Sequence, residues 1–124
     1  MTQLRTGIDF VDTHRVAELI DELGDTFVQQ TWTEEEIAEC QSDVERLAAR
    51  FAAKEATIKA LQSGLAKVQL KDIRIINSPS GAPELHLTGT AATQARELGL
   101  AQWSVSLTHD AGLAAAVVVA LGPD

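Results

Sequence analysis

Cysteine occurs once in this chain, tyrosine is absent, and the aromatic side chains are two tryptophans and three phenylalanines. With Cys40 alone, no internal disulfide can form, which suits a reducing cytosol. Its place late in a short helical segment marks it as structural. Histidine is scarce, and neither CxxC nor HExxH occurs, so a zinc site has no ligand set. The phosphate-cradling GxxxxGK[ST] loop and GxGxxG are missing too, so any bound phosphate must be held by side chains, a metal or a helix end. The longest apolar run, Leu113 to Leu121, is too short to span a bilayer as a helix. No basic stretch leading into an apolar segment opens the chain, so no signal peptide is expected and the reading is cytoplasmic. Basic residues are the minority: 10 Lys and Arg against 18 Asp and Glu give a net charge of −8. Such a chain is repelled by nucleic acid and by anionic membranes, and neither is an expected partner.

What remains is a chain with 45% apolar residues, enough for a real core, filled mostly by alanine, leucine and valine. Its 124 residues suit one domain, 1–124, and so small an enzyme often builds a deep cleft with a second copy, so a homo-oligomer is expected. Residues 3–11 read as a strand whose apolar members are Leu4, Ile8, Phe10 and Val11. Val16, Leu19, Ile20 and Leu23 recur at helical spacing over 13–23, with Gly24 as the stop. Thr33 and Glu36 have capping-box spacing for a short helix. Ser42 or Asp43 caps the longest helix, which runs to about Leu61. Residues 70–76 read as a strand, Asn77 to Gly81 as a turn, Glu84 to Leu87 as a short strand, and Thr88 to Leu98 as a helix closed by Gly99. Trp103–Thr108 and Leu113–Ala120 read as a hairpin joined through Asp110-Ala111-Gly112. Strands and helices without regular βαβ alternation make the class α+β, a small antiparallel sheet packed on a long helix.

Two acidic residues do not fit that pattern. On the long helix, Val44, Leu47, Phe51 and Ile58 share one stripe, and Glu55 falls in its middle with Lys54 and Lys59 at the edges. A carboxylate facing a core needs a partner or takes up a proton. Either Glu55 pairs with Lys59 four residues on, or it is a metal ligand or an acid–base group. Asp9 is the second: it sits in a strand, where aspartate is disfavoured, and points opposite to Ile8 and Phe10. Either that face is solvent or Asp9 meets a charge. Two carboxylates on rigid elements would suit magnesium, which fills its other positions with water and substrate phosphate oxygens. His109 at the turn, like His14 and His86, reads as a surface residue by spacing alone; Trp32 and Trp103 read as core or interface residues.

Three segments together resemble the holo-acyl-carrier-protein synthase family of 4′-phosphopantetheinyl transferases. They are Gly7-Ile8-Asp9 with Arg15 beyond it, Arg50-Phe51-Ala52-Ala53-Lys54-Glu55-Ala56 continuing to Lys59-Ala60-Leu61, and Val105-Ser106-Leu107-Thr108-His109-Asp110. Trp32 to Glu36 is a weaker fourth match. The resemblance implies the 4′-phosphopantetheinyl transferase-like fold and transfer of the phosphopantetheine arm of coenzyme A to a serine of an acyl or peptidyl carrier protein or carrier domain. Adenosine 3′,5′-bisphosphate would be released, in fatty acid or polyketide biosynthesis. It implies that Asp9 and Glu55 hold one Mg2+ and that Lys59 neutralises charge at the transferred phosphate or helps move the proton. A metal-bound water or Glu55 could accept the serine proton. Arg50, Lys54 and His109 would hold coenzyme A phosphates, with hydrogen bonds from Ser106 and Thr108. Gly64 would border the coenzyme, and Gly81 and Pro83 would do so from a neighbouring subunit of a homotrimer. Arg15 would face the carrier.

The chain also departs from the family. The first helix, usually basic, carries Asp12, Glu18, Asp21, Glu22 and Asp25 beside Arg15, so the expected carrier is less acidic than usual or docks elsewhere. Rates on acidic and near-neutral carriers at low and high salt test this; a salt-weakened preference for a highly acidic carrier would refute it. The Gly-Thr-Gly turn after the long helix is Gln62-Ser63-Gly64 here, and the usual basic residue between Gly81 and Pro83 is Ala82. Two other readings are a trimeric carrier-docking domain without turnover and a metal-dependent phosphohydrolase of coenzyme A-like nucleotides.

Overall fold

The computed structural model describes residues 2–63 and 67–123. The chain runs β1 (Gln3–Asp12), α1 (Thr13–Thr31), α2 (Glu34–Cys40), α3 (Val44–Ala60), β2 (Ile73–Asn77), β3 (Pro83–Leu87), α4 (Gly89–Glu97), β4 (Gln102–Asp110) and β5 (Leu113–Gly122). The class is α+β. The strands fall into two antiparallel sheets, one in the order β1-β5-β4 and a two-stranded β2-β3. β4 and β5 form the hairpin expected, with Asp110 opposite Leu113. Ala111 and Gly112 between them both have positive φ, as a tight turn matched to strand twist requires.

α3 lies across the inner face of the larger sheet, and it is buried on most of its circumference rather than along one stripe: Leu47, Ala48, Ala52, Ala53, Ala56, Ile58 and Ala60 are all in the core. Alanine is what lets sheet and helices close in on every side at once. Asp43 caps this helix, accepting from the Glu45 amide. The capping box of α2 is also present: the Thr33 amide donates to Glu36 and the Glu36 amide to the Thr33 hydroxyl.

The first helical segment of α1 stops at Gly24 as expected, where the backbone leaves helical geometry (φ 65°, ψ −149°). A second segment of about two turns follows across this kink to Thr31, with Phe27 packed edge-on against the buried Trp32 at 5.6 Å; the spacing in the sequence does not mark it. One boundary differs from the sequence expectation. Residues Leu70–Asp72 form a 3₁₀ turn rather than the start of β2. Asp72 is held there by accepting from the amide and hydroxyl of Thr90.

β1 inverts the usual arrangement of a sheet strand. Its apolar residues Leu4, Ile8 and Phe10 point outward, with Ile8 67% and Phe10 70% exposed, while Gly7 and Asp9 face α3. Beside them on β5, Leu113, Val117 and Val119 are also exposed. The outer face of the sheet is therefore an apolar surface without cover in the single chain. Among the described residues, no helix is long and apolar enough to cross a membrane.

Candidate active site

Gly7 decides where β1 can sit. A Cβ at this position would lie 1.8 Å from the Ala56 carbonyl oxygen, so only glycine lets the strand rest directly on α3. Two residues along the same strand face, Asp9 is thereby brought to the helix beside Glu55. The Lys59 ammonium, one turn further on, donates to the Ile8 carbonyl at 2.9 Å and to Asp9 Oδ1 at 3.1 Å. The pairing of Lys59 with Glu55 anticipated from their spacing is thus replaced by a bridge to β1.

Glu55 is half-buried, and its carboxyl is held above the ordinary range, first by desolvation and then by the negative charge of Asp9, with Lys59 opposing. Each carboxylate thus feels the other, and one ammonium does not neutralise both. The donor set is two carboxylates at a partly open position, and among the described residues no group of three His, Cys, Asp or Glu gathers around a metal position. A pair of oxygen donors with room for water and phosphate fits magnesium, which dehydrates reluctantly and seldom takes a full protein cage.

A second group forms on the opposite edge strand of the sheet. Arg50, Thr108 and His109 line a cleft of about 340 Å³ together with Glu39, Arg46, Ala49, Asn77 and Leu107. Arg50 is buried and donates through Nε to the Ile75 carbonyl at 3.0 Å and through Nη2 to Glu39 at 3.0 Å. His109 Nδ1 lies 2.9 Å from Glu45 Oε2. Ser106 lies on the outer sheet face in a shallow apolar hollow with Ile8 and Val117, which Thr108 also borders. Gly81 and Pro83 stand at the β2–β3 turn, where the Gly81 φ of 90° requires glycine, and Pro83 pairs with the cleft residue Asn77. Asp9 on β1 and the cleft residue Leu107 on β4 stand opposite the same residue of the strand between them, Ala116.

Lys54 requires a correction. It is 0% exposed, and its ammonium is spent on Glu36 Oε1 at 2.7 Å and on the carbonyls of Leu70 and Ile73. An ammonium has three donors, so none is left for a phosphate of coenzyme A. Burial lowers its pKa and the Glu36 charge opposes that. Arg15 is exposed on α1 but flanked by Glu18 at 3.8 Å and Glu22 at 3.9 Å. Gly64 lies outside the described residues. Cys40 is fully buried and its thiol is pushed up by desolvation, consistent with an inert structural residue. Glu39, Arg46 and Asn77 join the cleft, and Glu36 pairs with Lys54, without being sequence candidates. The signal for Glu36 and Glu39 was their match, one turn apart on α2, to Arg50 and Lys54, one turn apart on α3.

A family model described as the 4′-phosphopantetheinyl transferase superfamily matches residues 5–118. The chain is 40% identical over 126 residues to the holo-[acyl-carrier-protein] synthase of Herpetosiphon aurantiacus, covering 96% of this chain and 99% of that one. It is 42% identical over 117 residues to the enzyme of the same name from Carboxydothermus hydrogenoformans, covering 92% and 94%. Among solved structures, the Helicobacter pylori holo-[acyl-carrier-protein] synthase in complex with coenzyme A superposes with a TM-score of 0.85 at 34% identity, covering 93% of this chain and 98% of that one.

Proposed function

The chain belongs to the holo-acyl-carrier-protein synthase family of the 4′-phosphopantetheinyl transferase superfamily, and on that premise we propose that residues 1–124 form a magnesium-dependent transferase domain moving phosphopantetheine from coenzyme A to a carrier serine. The observation that carries the reading is the meeting of Asp9, Glu55 and Lys59 from distant parts of the chain, brought about by the Gly7 contact.

The serine oxygen forms a bond to the β-phosphorus of coenzyme A. The bond from that phosphorus to the bridging oxygen breaks, and adenosine 3′,5′-bisphosphate leaves with the electron pair. Chemistry of this kind is accelerated mainly by positioning and charge neutralisation. Asp9 and Glu55 would hold Mg2+, which when bound polarises phosphate oxygens and offsets developing charge. The Lys59 ammonium adds a cation beside them. Glu55, beside Asp9 and Lys59, is a side chain placed to accept the serine proton.

The nucleotide end of coenzyme A belongs in the cleft of Arg50, Thr108 and His109, where positive side chains gather. In a homotrimer of the kind the family resemblance implies, one copy's carboxylates would serve a cleft formed with a neighbour. The uncovered apolar face of β1 and β5 supports a homotrimer in which that face is buried. The carrier partner would meet α1, where Arg15 is already engaged by two glutamates, which favours a carrier of low acidity.

Incubation of the chain with coenzyme A, Mg2+ and a panel of apo-carriers, read by mass spectrometry, tests the reading. A gain of the phosphopantetheine mass on the carrier serine is expected. It should vanish with a chelator and fall at least about 100-fold in Asp9→Ala. Full activity of Asp9→Ala would remove the metal assignment, and product release without any carrier would replace transfer by hydrolysis.

A further inference from the structure

Among the described residues β2 pairs with β3 on one side only, and its other edge faces α2 and α3. In an antiparallel strand the backbone groups of alternate residues point to the same edge, here those of Ile73, Ile75 and Asn77. A buried edge of this kind leaves amides and carbonyls that must find partners. Side chains supply them one after another. Lys54 donates to the Ile73 carbonyl, Glu36 Oε2 accepts from the Ile75 amide at 3.1 Å, Arg50 Nε donates to the Ile75 carbonyl at 3.0 Å, and Glu39 Oε1 accepts from the Asn77 amide at 3.0 Å. The order base, acid, base, acid follows the order carbonyl, amide, carbonyl, amide along the strand. The rungs are also joined to each other, Lys54 to Glu36 at 2.7 Å and Arg50 to Glu39 at 3.0 Å.

The spacing has a simple origin. Same-edge groups on a strand recur about every 6.6 Å; Arg50 and Lys54, four apart on α3, rise about 6 Å, and Glu36 and Glu39, three apart on α2, about 4.5 Å, a difference that long side chains span. A helix can therefore present one side chain per turn to each successive edge residue. Two helices, one supplying acids and one supplying bases, reproduce a missing strand.

Stability alone does not call for charges here, because apolar replacement of a buried ion pair is often neutral or stabilising. What charges add is register: a two-residue slip of β2 that brings Pro79 to the place of Asn77 would set Glu39 against a residue with no N–H to donate, and leave its partly buried carboxylate without that partner. We propose that Glu36, Glu39, Arg50 and Lys54 form a side-chain strand that fixes the register of the β2–β3 hairpin and so places Asn77 in the wall of the nucleotide cleft. The placement of coenzyme A in that cleft rests on the function proposed above. Lys54 and Glu36 are then positioning residues, distant from the transferred phosphate.

The test uses the full chain carrying Glu36→Met and Lys54→Met together, which removes both charges of one rung. Amide exchange followed by NMR should be at least about tenfold faster at Ile75 and unchanged at amides in the middle of α3. With a carrier, the KM for coenzyme A should rise about tenfold while kcat stays within about threefold. Unchanged exchange at Ile75 overturns the ladder. Faster exchange with an unaltered KM overturns its positioning role, and a fall in kcat at constant KM would put Lys54 at the reacting phosphate. Should the pair fail to fold, Glu39→Met asks the exchange question at the Asn77 amide, and unchanged exchange there overturns the ladder. If the native chain transfers nothing, the functional reading fails, yet the exchange result still decides the ladder.

Discussion

At the scale of single residues, Glu55 shows how a site can work against the fold that carries it. Its carboxyl is raised from 4.5 by burial and by Asp9. In the metal-free protein the folded state then binds this proton more tightly than the unfolded chain does. The stability so contributed is present below about pH 4.5 and is lost as pH rises through the folded pKa. At neutral pH the ionised carboxylate is a liability until a cation is bound. Glu55→Gln should raise the melting temperature of the metal-free protein at pH 7 by about 2–4 °C, and the gain should shrink toward pH 4. Transfer should be lost in the same variant. Thermal melts across pH with a chelator present check the sign; a variant less stable than the native chain at pH 7 would contradict it.

At the scale of elements, the contact between β1 and α3 is decided by one missing methyl group. Gly7→Ala would place a carbon 1.8 Å from the Ala56 carbonyl oxygen, and both partners are backbone, so neither can swing aside. The strand must lift from the helix, at a cost of about 1–3 kcal/mol. Asp9 lifts with it. The variant should therefore lose kcat by at least about tenfold, more than its stability loss explains at temperatures where it remains folded. Comparing kcat with the folded fraction from circular dichroism separates the two effects, and a destabilised variant with native kcat would show that the Gly7 contact does not set the site.

At the scale of the whole molecule, the exposed face of β1 and β5 is the largest unresolved demand of the single chain. Phe10 contributes little to the fold of one copy, being 70% exposed, but would be central in an assembly that buries this face. If the proposed trimer buries this face, Phe10→Lys should leave the monomer folded, sediment as a monomer where the native chain sediments as a trimer, and reduce transfer at least about tenfold. A fully active monomeric variant would show that one chain completes its own site.

Much of this protein was legible in order along the chain, because the signals are local. The capping box at Thr33, the cap at Asp43, the hairpin turn at Ala111-Gly112 and the alternation of β4 depend on residues within one turn or one strand. The misfit of Asp9 and Glu55 was legible as well, since a carboxylate among apolar neighbours stands out by period alone. Tertiary structure decided what no period records. Helical spacing placed the break at Gly24, where it is found, but not the second helical segment beyond it, which packs Phe27 on Trp32. Lys54 and Lys59 look alike in sequence, yet one is sealed against Glu36 and the β2 edge while the other bridges Asp9. The reason is physical: burial and charge pairing depend on which elements approach from outside the helix, and that approach is set by contacts such as Gly7 on Ala56 between residues far apart in the chain.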